Sequence, residues 1–287
     1  MPTLSIGEFH DILRRTGAYE SPPDAVRRPP LGSFRAWWRF YAVGLGGLIR
    51  NGSRHVRAHS FQQRHFAILS HRMVANAEAT GATVQFEGFL HLSALGGRPA
   101  VIVANHMSLV ETMILPGGLF AFNDVSVVAK RSLTRYPGFG PILASVRPIL
   151  LDRKNPRQDL ADVLEQGAEL LKDGLSVLLF PQGHRSAVFD PKLFNSLGAK
   201  LARKAGAPLV PVACKTDFAR QGFGPFKDVG PVDPSKPIRF ACGPAIDPSV
   251  PQREMQDLCV EHISSTLRAW GMPVAGDAPA ESASKTI

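Results

Sequence analysis

The stretch Val101-Ile-Val-Ala-Asn105-His106-Met-Ser108-Leu-Val-Glu111 runs from four consecutive apolar residues into an Asn-His pair and on into a second apolar segment. An unbroken apolar run of that kind fits a strand buried on both faces, as parallel sheets require. The segment after it predicts a helix over Leu109–Leu119. His106 then stands at the carboxyl end of a strand, where open α/β sheets hold their ligands. Glu111 follows five residues later. On one regular helix that spacing separates two side chains by about 140°. If His106 lies in the turn before the helix and Glu111 in its first turn, the carboxylate can accept from one ring nitrogen and leave the other free as a base. A second reading fits the same residues: Ser108-x-x-Glu111 has the spacing of a helix capping box, which needs no catalysis.

Outward from this stretch the pattern repeats. After Gly81, short apolar runs alternate with longer helical segments, the signature of β-α-β units. Strands are predicted at Thr83–Gly88, Ala100–Ala104, Val125–Ala129, Pro148–Leu151, Ser176–Phe180, Leu209–Cys214 and Ile238–Cys242. Further helices are predicted at Arg157–Lys172, Phe194–Ala205 and Gln252–Trp270. The expected fold is α/β, a mixed, largely parallel sheet flanked by helices.

Three more segments place polar groups at strand ends. In Leu178-Leu-Phe180-Pro181-Gln182-Gly183-His184-Arg185-Ser186, Gly183 lets the backbone approach a ligand and Arg185 suits two-point binding of a phosphate. A solvated arginine in a surface turn reads the same way. Lys130-Arg131, the turn Pro137-Gly-Phe-Gly140 and the pair Asp152-Arg153 could wall an anion-binding groove, or be ordinary loops. Leu209-Val-Pro211-Val-Ala-Cys214 is an apolar strand with an internal proline, structural or a pocket wall.

Composition bounds the partners. Hydrophobic residues make up 44% of the 287 and charged residues 20%, enough apolar material for a sizeable core. The net charge is +9, and it gathers at the front: Ala25–Ala77 holds nine arginines and no Asp or Glu. The same stretch carries Phe34, Trp37, Trp38, Phe40 and Tyr41 beside a ten-residue apolar run, Phe40–Ile49, against the roughly 20 residues a membrane-spanning helix needs. Arginines with Trp and Tyr around a short apolar core predict an amphipathic helical element at an anionic membrane surface; an ordinary amphipathic helix packed on the domain reads the same way. No nucleic-acid-binding motif is present, so nucleic acid is not an expected partner. The organisation expected is a loose leader over 1–33 with one short helix at Ile6–Arg15, then a membrane-interface segment over 34–80. That segment should be helical in two pieces, broken near Asn51-Gly52. The α/β domain follows over 81–270, with a disordered tail over 271–287. The three cysteines lie in no metal-ligand spacing, and no metal is expected.

In this order and spacing the four segments resemble the glycerolipid acyltransferase family, whose best-known members are the 1-acylglycerol-3-phosphate acyltransferases. The resemblance spans residues 81–245. Asn105-His106-x4-Glu111 is similar to the family's Asn-His-x4-Asp. Lys130, Pro137, Gly140, Asp152 and Arg153 fit its second motif. Phe180-Pro181-Gln182-Gly183-His184-Arg185-Ser186 matches its Phe-Pro-Glu-Gly-Thr-Arg-Ser at five of seven places. Pro211 sits as the proline of its fourth.

The resemblance implies a transfer of a fatty acyl group from acyl-CoA or acyl-carrier protein to the hydroxyl of a lysophospholipid, most closely 1-acylglycerol-3-phosphate, in phospholipid synthesis. It implies no cofactor and no acyl-enzyme. His106 would be the base and Glu111 its partner. Lys130, Arg153, Gly183, Arg185 and Ser186 would bind substrate, with Asn105, Pro181, Gln182 and Pro211 shaping the pocket. The place would be the cytoplasmic face of a membrane, peripheral or monotopic. Three departures stand out: Glu111 for Asp, Gln182 for Glu and His184 for Thr. They leave open a different lysolipid acceptor, or a lipid-binding protein that has lost the chemistry. A thioesterase using His106 to activate water is a third rival. No Gly-x-Ser-x-Gly elbow supports a serine hydrolase.

Overall fold

Each of the seven apolar runs forms a strand, and an eighth, short strand precedes them. The computed structural model describes residues 4–224 and 227–277. The strands are β1 (Tyr19–Glu20), β2 (Val84–Glu87), β3 (Val101–Ala104), β4 (Val125–Lys130), β5 (Ile149–Leu151), β6 (Ser176–Leu179), β7 (Leu209–Lys215) and β8 (Ile238–Cys242). They form one sheet in the order β1-β2-β8-β7-β3-β6-β4-β5. The pairs β7–β3, β3–β6, β6–β4 and β4–β5 are parallel, as is β2–β8; β1–β2 and β8–β7 are antiparallel.

The helices are α1 (Ile6–Thr16), α2 (Ser33–Trp37), α3 (Gly46–Arg57), α4 (Gln63–Glu78), α5 (Leu90–Ser93), α6 (Val110–Leu119), α7 (Phe139–Ala144), α8 (Pro156–Lys172), α9 (Leu197–Ala205) and α10 (Gln252–Ala269). A π-helical stretch, Trp38–Leu45, joins α2 to α3.

The unbroken apolar runs are explained by two cores, one on each face of the sheet. Ile102 and Ala104 of β3 pack with Phe9, Met73, Ile114 and Phe86 on one face. Val101 and Val103 pack with Val163, Leu201, Met255 and Ile263 on the other. Successive strand residues point to opposite faces, so a strand buried on both sides must be apolar throughout. Strands β7, β3, β6, β4 and β5 run the same way, so their carboxyl ends share one edge. After β3 the chain builds β4, β5 and β6 on one side of it and then crosses to place β7 on the other. A crevice opens at the end of a strand flanked in this manner.

Three expectations about organisation need correction. Residues 4–33, the described part of the expected leader, are packed and not loose. A capping box, Ser5 with Glu8, starts α1, and Gly17 in the left-handed conformation ends it. Phe9 and Leu13 are fully buried, with the Phe9 ring 4.8 Å from Tyr19 and 5.5 Å from Phe86. β1 extends the sheet beyond β2. Secondly, Asn51-Gly52 breaks no helix. α3 runs through it, because Gly52 lies against Ile142, where a Cβ would come within 2.4 Å of the Ile142 Cδ1. The break falls at residues 58–62, where His59 has a positive φ of 51°. Thirdly, the tail begins in contact with the fold: Val274 is buried and bridged to Phe189, and Arg268 pairs with Asp277 at 2.9 Å. The rest of the expected tail, 278–287, lies outside the described residues.

If α1 is part of the core, Phe9→Ala removes a ring from a filled space and costs about 3–5 kcal/mol. Urea denaturation should show the loss as a lower midpoint. An unchanged midpoint would mean that α1 is the dispensable leader after all.

Candidate active site

The β3 ladder ends at Ala104, and the next residue pins two strands together. Asn105 is buried; its Nδ2 donates to the Cys214 carbonyl at 2.8 Å and its Oδ1 accepts from the Cys214 amide at 2.7 Å. The side chain thus replaces a backbone rung between β3 and β7 at the point where the chain turns away.

His106 follows in that turn, and Glu111 lies in the first turn of α6. The His106 Nδ1 is 2.7 Å from the Glu111 Oε1. Glu111 is fully buried, and four other groups donate to it. Oε1 accepts from the amides of Met107 at 2.7 Å and Ser108 at 2.8 Å; Oε2 accepts from the hydroxyls of Ser108 at 2.9 Å and Thr216 at 2.6 Å. Burial alone would push the Glu111 carboxyl up. The hydrogen bonds and charge of His106, with those of Thr216 and Ser108, outweigh it and hold the carboxyl below its ordinary value. An ionised carboxylate only accepts, so Nδ1 carries the proton and Nε2 keeps a free lone pair. The pairing reading is realised, and of the capping box only half is present: Glu111 accepts from the Ser108 amide, but the Ser108 hydroxyl accepts from the Val110 amide at 3.0 Å and the helix is capped at Leu109.

The β6 turn closes over the same histidine. The Phe180 ring stacks on His106 with centroids 4.5 Å apart. The Gln182 Oε1 accepts from the His106 amide at 2.8 Å, and the Ser186 amide donates to the His106 carbonyl at 2.9 Å. A neutral amide oxygen suffices for the first bond, so glutamine at 182 keeps the histidine's backbone in place without a carboxylate. Gly183 adopts a φ of 71°, which the turn needs and which favours glycine. The Pro181 carbonyl accepts from Asn195.

The predicted anion-binding residues are brought together in part. Arg185 lies beside this turn and pairs with Asp228, not with Asp190, whose carboxylate instead caps the turn at Lys192. Arg153 donates to the Gly183 carbonyl, joining the ends of β5 and β6, while its own amide is held by Asp159 at 3.0 Å. Lys130 stands exposed at the carboxyl end of β4, on the same edge but with no hydrogen bond or ion pair among the described residues. The Ser186 hydroxyl donates to the Val188 carbonyl at 2.7 Å. Pro211 is buried in β7 opposite Val103, where its missing N–H falls just past the ladder with β8.

Three residues of the site escape sequence reasoning. Thr216 lies one residue beyond β7, in no motif, and its only signal is its place at the end of a buried strand. Asp228 lies in a loop without periodicity. Tyr41 comes from the π-helical stretch and is buried. Burial pushes its hydroxyl up, and it stands within range of the charges of Arg185, Asp228 and Glu111.

With this geometry in hand, the relatives of the chain can be placed. Residues 74–215 match the family described as Acyltransferase. The 1-acyl-sn-glycerol-3-phosphate acyltransferase of Pseudomonas aeruginosa is 35% identical over 184 residues, 64% of this chain and 60% of that protein. A chloroplastic 1-acyl-sn-glycerol-3-phosphate acyltransferase of Arabidopsis thaliana is 31% identical over 131 residues, 45% of this chain and 35% of that one. The crystal structure of the LPA acyltransferase PlsC from Thermotoga maritima shares the fold, with a TM-score of 0.61 at 19% identity, covering 83% of this chain and 96% of that one. Sheet, strand-end histidine and matched segment together define an acyltransferase-type α/β domain. Residues 74–215, about half of the chain, are thus similar to the Acyltransferase family, and the chain spans 60% of the length of its Pseudomonas relative.

The buried carboxylate sets a pH signature. Its folded pKa lies below the ordinary 4.5, so its ionised form contributes stability that is fully present above that value and is lost as pH falls through the lower, folded one. The melting-temperature gap between wild type and Glu111→Gln should therefore be flat above about pH 5.5 and narrow steadily in acid. A gap that widens in acid would mean that Glu111 is protonated in the fold.

Proposed function

We propose that the chain is an O-acyltransferase that moves a fatty acyl group from the thioester of acyl-CoA or acyl-carrier protein to the hydroxyl of 1-acylglycerol-3-phosphate. The observation that carries this is the His106–Glu111 pair at the crevice edge, with Nε2 left as a base. The acceptor hydroxyl gives its proton to Nε2 as its oxygen attacks the thioester carbonyl. The resulting tetrahedral adduct breaks its carbon–sulfur bond, and the leaving thiolate takes the proton back from the imidazolium. The products are the ester and a free thiol, and Glu111 stabilises the charged imidazolium between the two transfers. The orientation of His106, with Nδ1 on the ionised Glu111 and Nε2 without a partner among the described residues, favours retained chemistry over a protein that has lost it. The change at Gln182 is accounted for by its bond to the His106 amide, so it leaves the base intact.

Arg185 is the group for the acceptor's phosphate, with Lys130 and Arg153 on the same sheet edge. In the free chain Asp228 satisfies its guanidinium, and the dianionic phosphate is the stronger partner that displaces it. The arginine-rich segment over 34–80, whose one acid, Glu78, is buried against Tyr19, holds the protein on an anionic membrane surface, peripheral or monotopic, on the cytoplasmic face. Phe34, Trp38 and Val43 are 79%, 57% and 48% exposed there, and six of the segment's seven arginines are exposed. No helix among the described residues is long and apolar enough to cross a membrane.

Labelled acyl-CoA and acyl-carrier protein, each with and without a panel of lysolipids, test the reading: transfer supports it, while hydrolysis alone or no reaction refutes it. His106→Ala should lower turnover by roughly 10²–10⁴-fold with the melting temperature kept. A mutant retaining most of its activity would sink the mechanism.

Arg185→Lys keeps the charge and loses the planar two-point contact, so it should raise the acceptor's KM far more than the donor's. Asp228→Asn, by freeing the arginine, should lower the acceptor's KM. A donor-side defect in Arg185→Lys would assign the arginine to the thioester's carrier instead.

A further inference from the structure

A cleft of about 550 Å³ opens between α3 and α4, and neither His106 nor Glu111 is among its lining residues. That volume lies within the roughly 300–1,000 Å³ typical of ligand sites. Three arginines converge on it: Arg39 from the π-helical stretch, Arg50 from α3 and Arg72 from α4. Arg39 is half-buried and oriented, its Nη1 donating to the Asn76 Oδ1 at 2.6 Å. Arg50 and Arg72 are exposed and have no hydrogen bond or ion pair among the described residues. No acid lines the cleft. Of the acids next to its lining in sequence, Glu78 is buried against the Tyr19 hydroxyl at 2.7 Å, and Asp24 stands outside beside Ala25. Like charges gathered at one opening without a counter-charge repel one another, and a bound anion relieves them.

The helix–helix contact is built to leave this space. Gly44 lets α4 come close, since a Cβ there would meet the Asn76 Cγ at 2.9 Å. Gly47, one turn on, has nothing within 4 Å of where its Cβ would stand, so its missing side chain leaves the cleft open. The mouth is level with the exposed apolar residues: Val43 both lines the cleft and belongs to the set with Phe34 and Trp38. Aromatic residues of that kind sit at headgroup depth, where the nearest anion is a lipid phosphate.

We propose that the cleft between α3 and α4 is a headgroup site, separate from the acceptor site, in which Arg39, Arg50 and Arg72 take the phosphate of an anionic phospholipid of the membrane. This rests on the membrane-surface reading of residues 34–80. A bound lipid would then fix the orientation of the π-helical stretch.

Flotation of the full chain on phosphatidylcholine vesicles, with and without phosphatidylglycerol, tests it with three variants. R50Q/R72Q removes two charges from the cleft. R54Q/R57Q removes two exposed charges from the last turn of α3 and serves as the control. G47L fills the cleft with no change of charge and with better helix propensity than glycine. The expected result is a loss of phosphatidylglycerol-dependent binding roughly tenfold greater in R50Q/R72Q than in the control. G47L should lose the same lipid preference while still binding, since its added apolar surface favours vesicles of either kind.

Equal losses in the two arginine pairs, with G47L like wild type, would mean a diffuse surface field and overturn the site. Competition by inorganic phosphate as strong as by the vesicles would make it a free-anion site and overturn the lipid assignment. A raised KM for the acyl donor or for a monomeric short-chain acceptor in R50Q/R72Q would assign the cleft to that substrate, again overturning it. If the wild-type chain floats on neither vesicle, the membrane-surface reading itself fails; if it floats but ignores the cleft variants, only the headgroup site fails.

Discussion

A buried carboxylate must be paid for locally, and at Glu111 five donors do so from two parts of the chain: the turn after β3 and the residue beyond β7. Each donor is a geometric demand on the backbone that carries it. The amides of Met107 and Ser108 have to point inward, which sets the turn. Thr216 has to reach across from β7, which sets how that strand leaves the sheet. His106 has to present Nδ1, which leaves Nε2 facing the crevice. An unpaired carboxylate at full burial would cost several kcal/mol, so the arrangement is held together as a unit and not residue by residue.

Around this unit the other elements act as a frame. Asn105 substitutes side-chain amide bonds for a ladder rung and lets β3 end without separating from β7. Gln182 and Ser186 hold the backbone of His106 from both sides, one at its amide and one at its carbonyl, while Phe180 stacks on its ring. The histidine is thus fixed by its main chain, its ring face and its Nδ1, and its Nε2 has no hydrogen-bond partner among the described residues. This also explains why glutamine can stand at 182. The bond it makes needs an oxygen acceptor, and an amide supplies one without adding a second negative charge near Glu111, where it would oppose the ionised state that keeps the tautomer in place.

The sheet is legible in the sequence because burial on both faces leaves no room for polar residues, so β3, β6 and β7 show as unbroken apolar runs. Local chemistry also made His106, Glu111 and Arg185 legible, since strand ends and glycine turns mark them. What is not legible depends on contacts distant in sequence. Thr216 and Asp228 gain their roles from residues 105 and 43 positions away. Gly52 looks like a helix breaker because glycine usually is one, yet tertiary packing against Ile142 overrides propensity. The leader misleads for a different reason. Its Pro and Arg content is high, but the Ser5–Glu8 capping box and the buried pair Phe9 and Leu13 were local signals of a packed helix, and composition outweighed them wrongly.

The segment Ser33–Arg57 faces two ways, and that ties the charge of the chain to its chemistry. On its inner side the Trp37 indole donates to the Val229 carbonyl at 2.9 Å and Phe40 packs on Phe218 at 5.0 Å, in the loop that also carries Asp228. Tyr41 stands near Arg185 itself. On its outer side are Phe34, Trp38, Val43 and the exposed Arg35, Arg50, Arg54 and Arg57. The π-helical turns between them widen the helix and change which residues share a face, a feature that recurs at functional sites. One element therefore supplies both the proposed membrane contact and a wall of the crevice. Under the proposed function, an acceptor that lives in the membrane and a donor that arrives from water must meet at His106, and a wall shared between the membrane contact and the crevice shortens the path for the acceptor. An acid anywhere on that outer face would repel both the surface and the acceptor's phosphate, which gives a physical reason for a stretch of nine arginines without a single Asp or Glu.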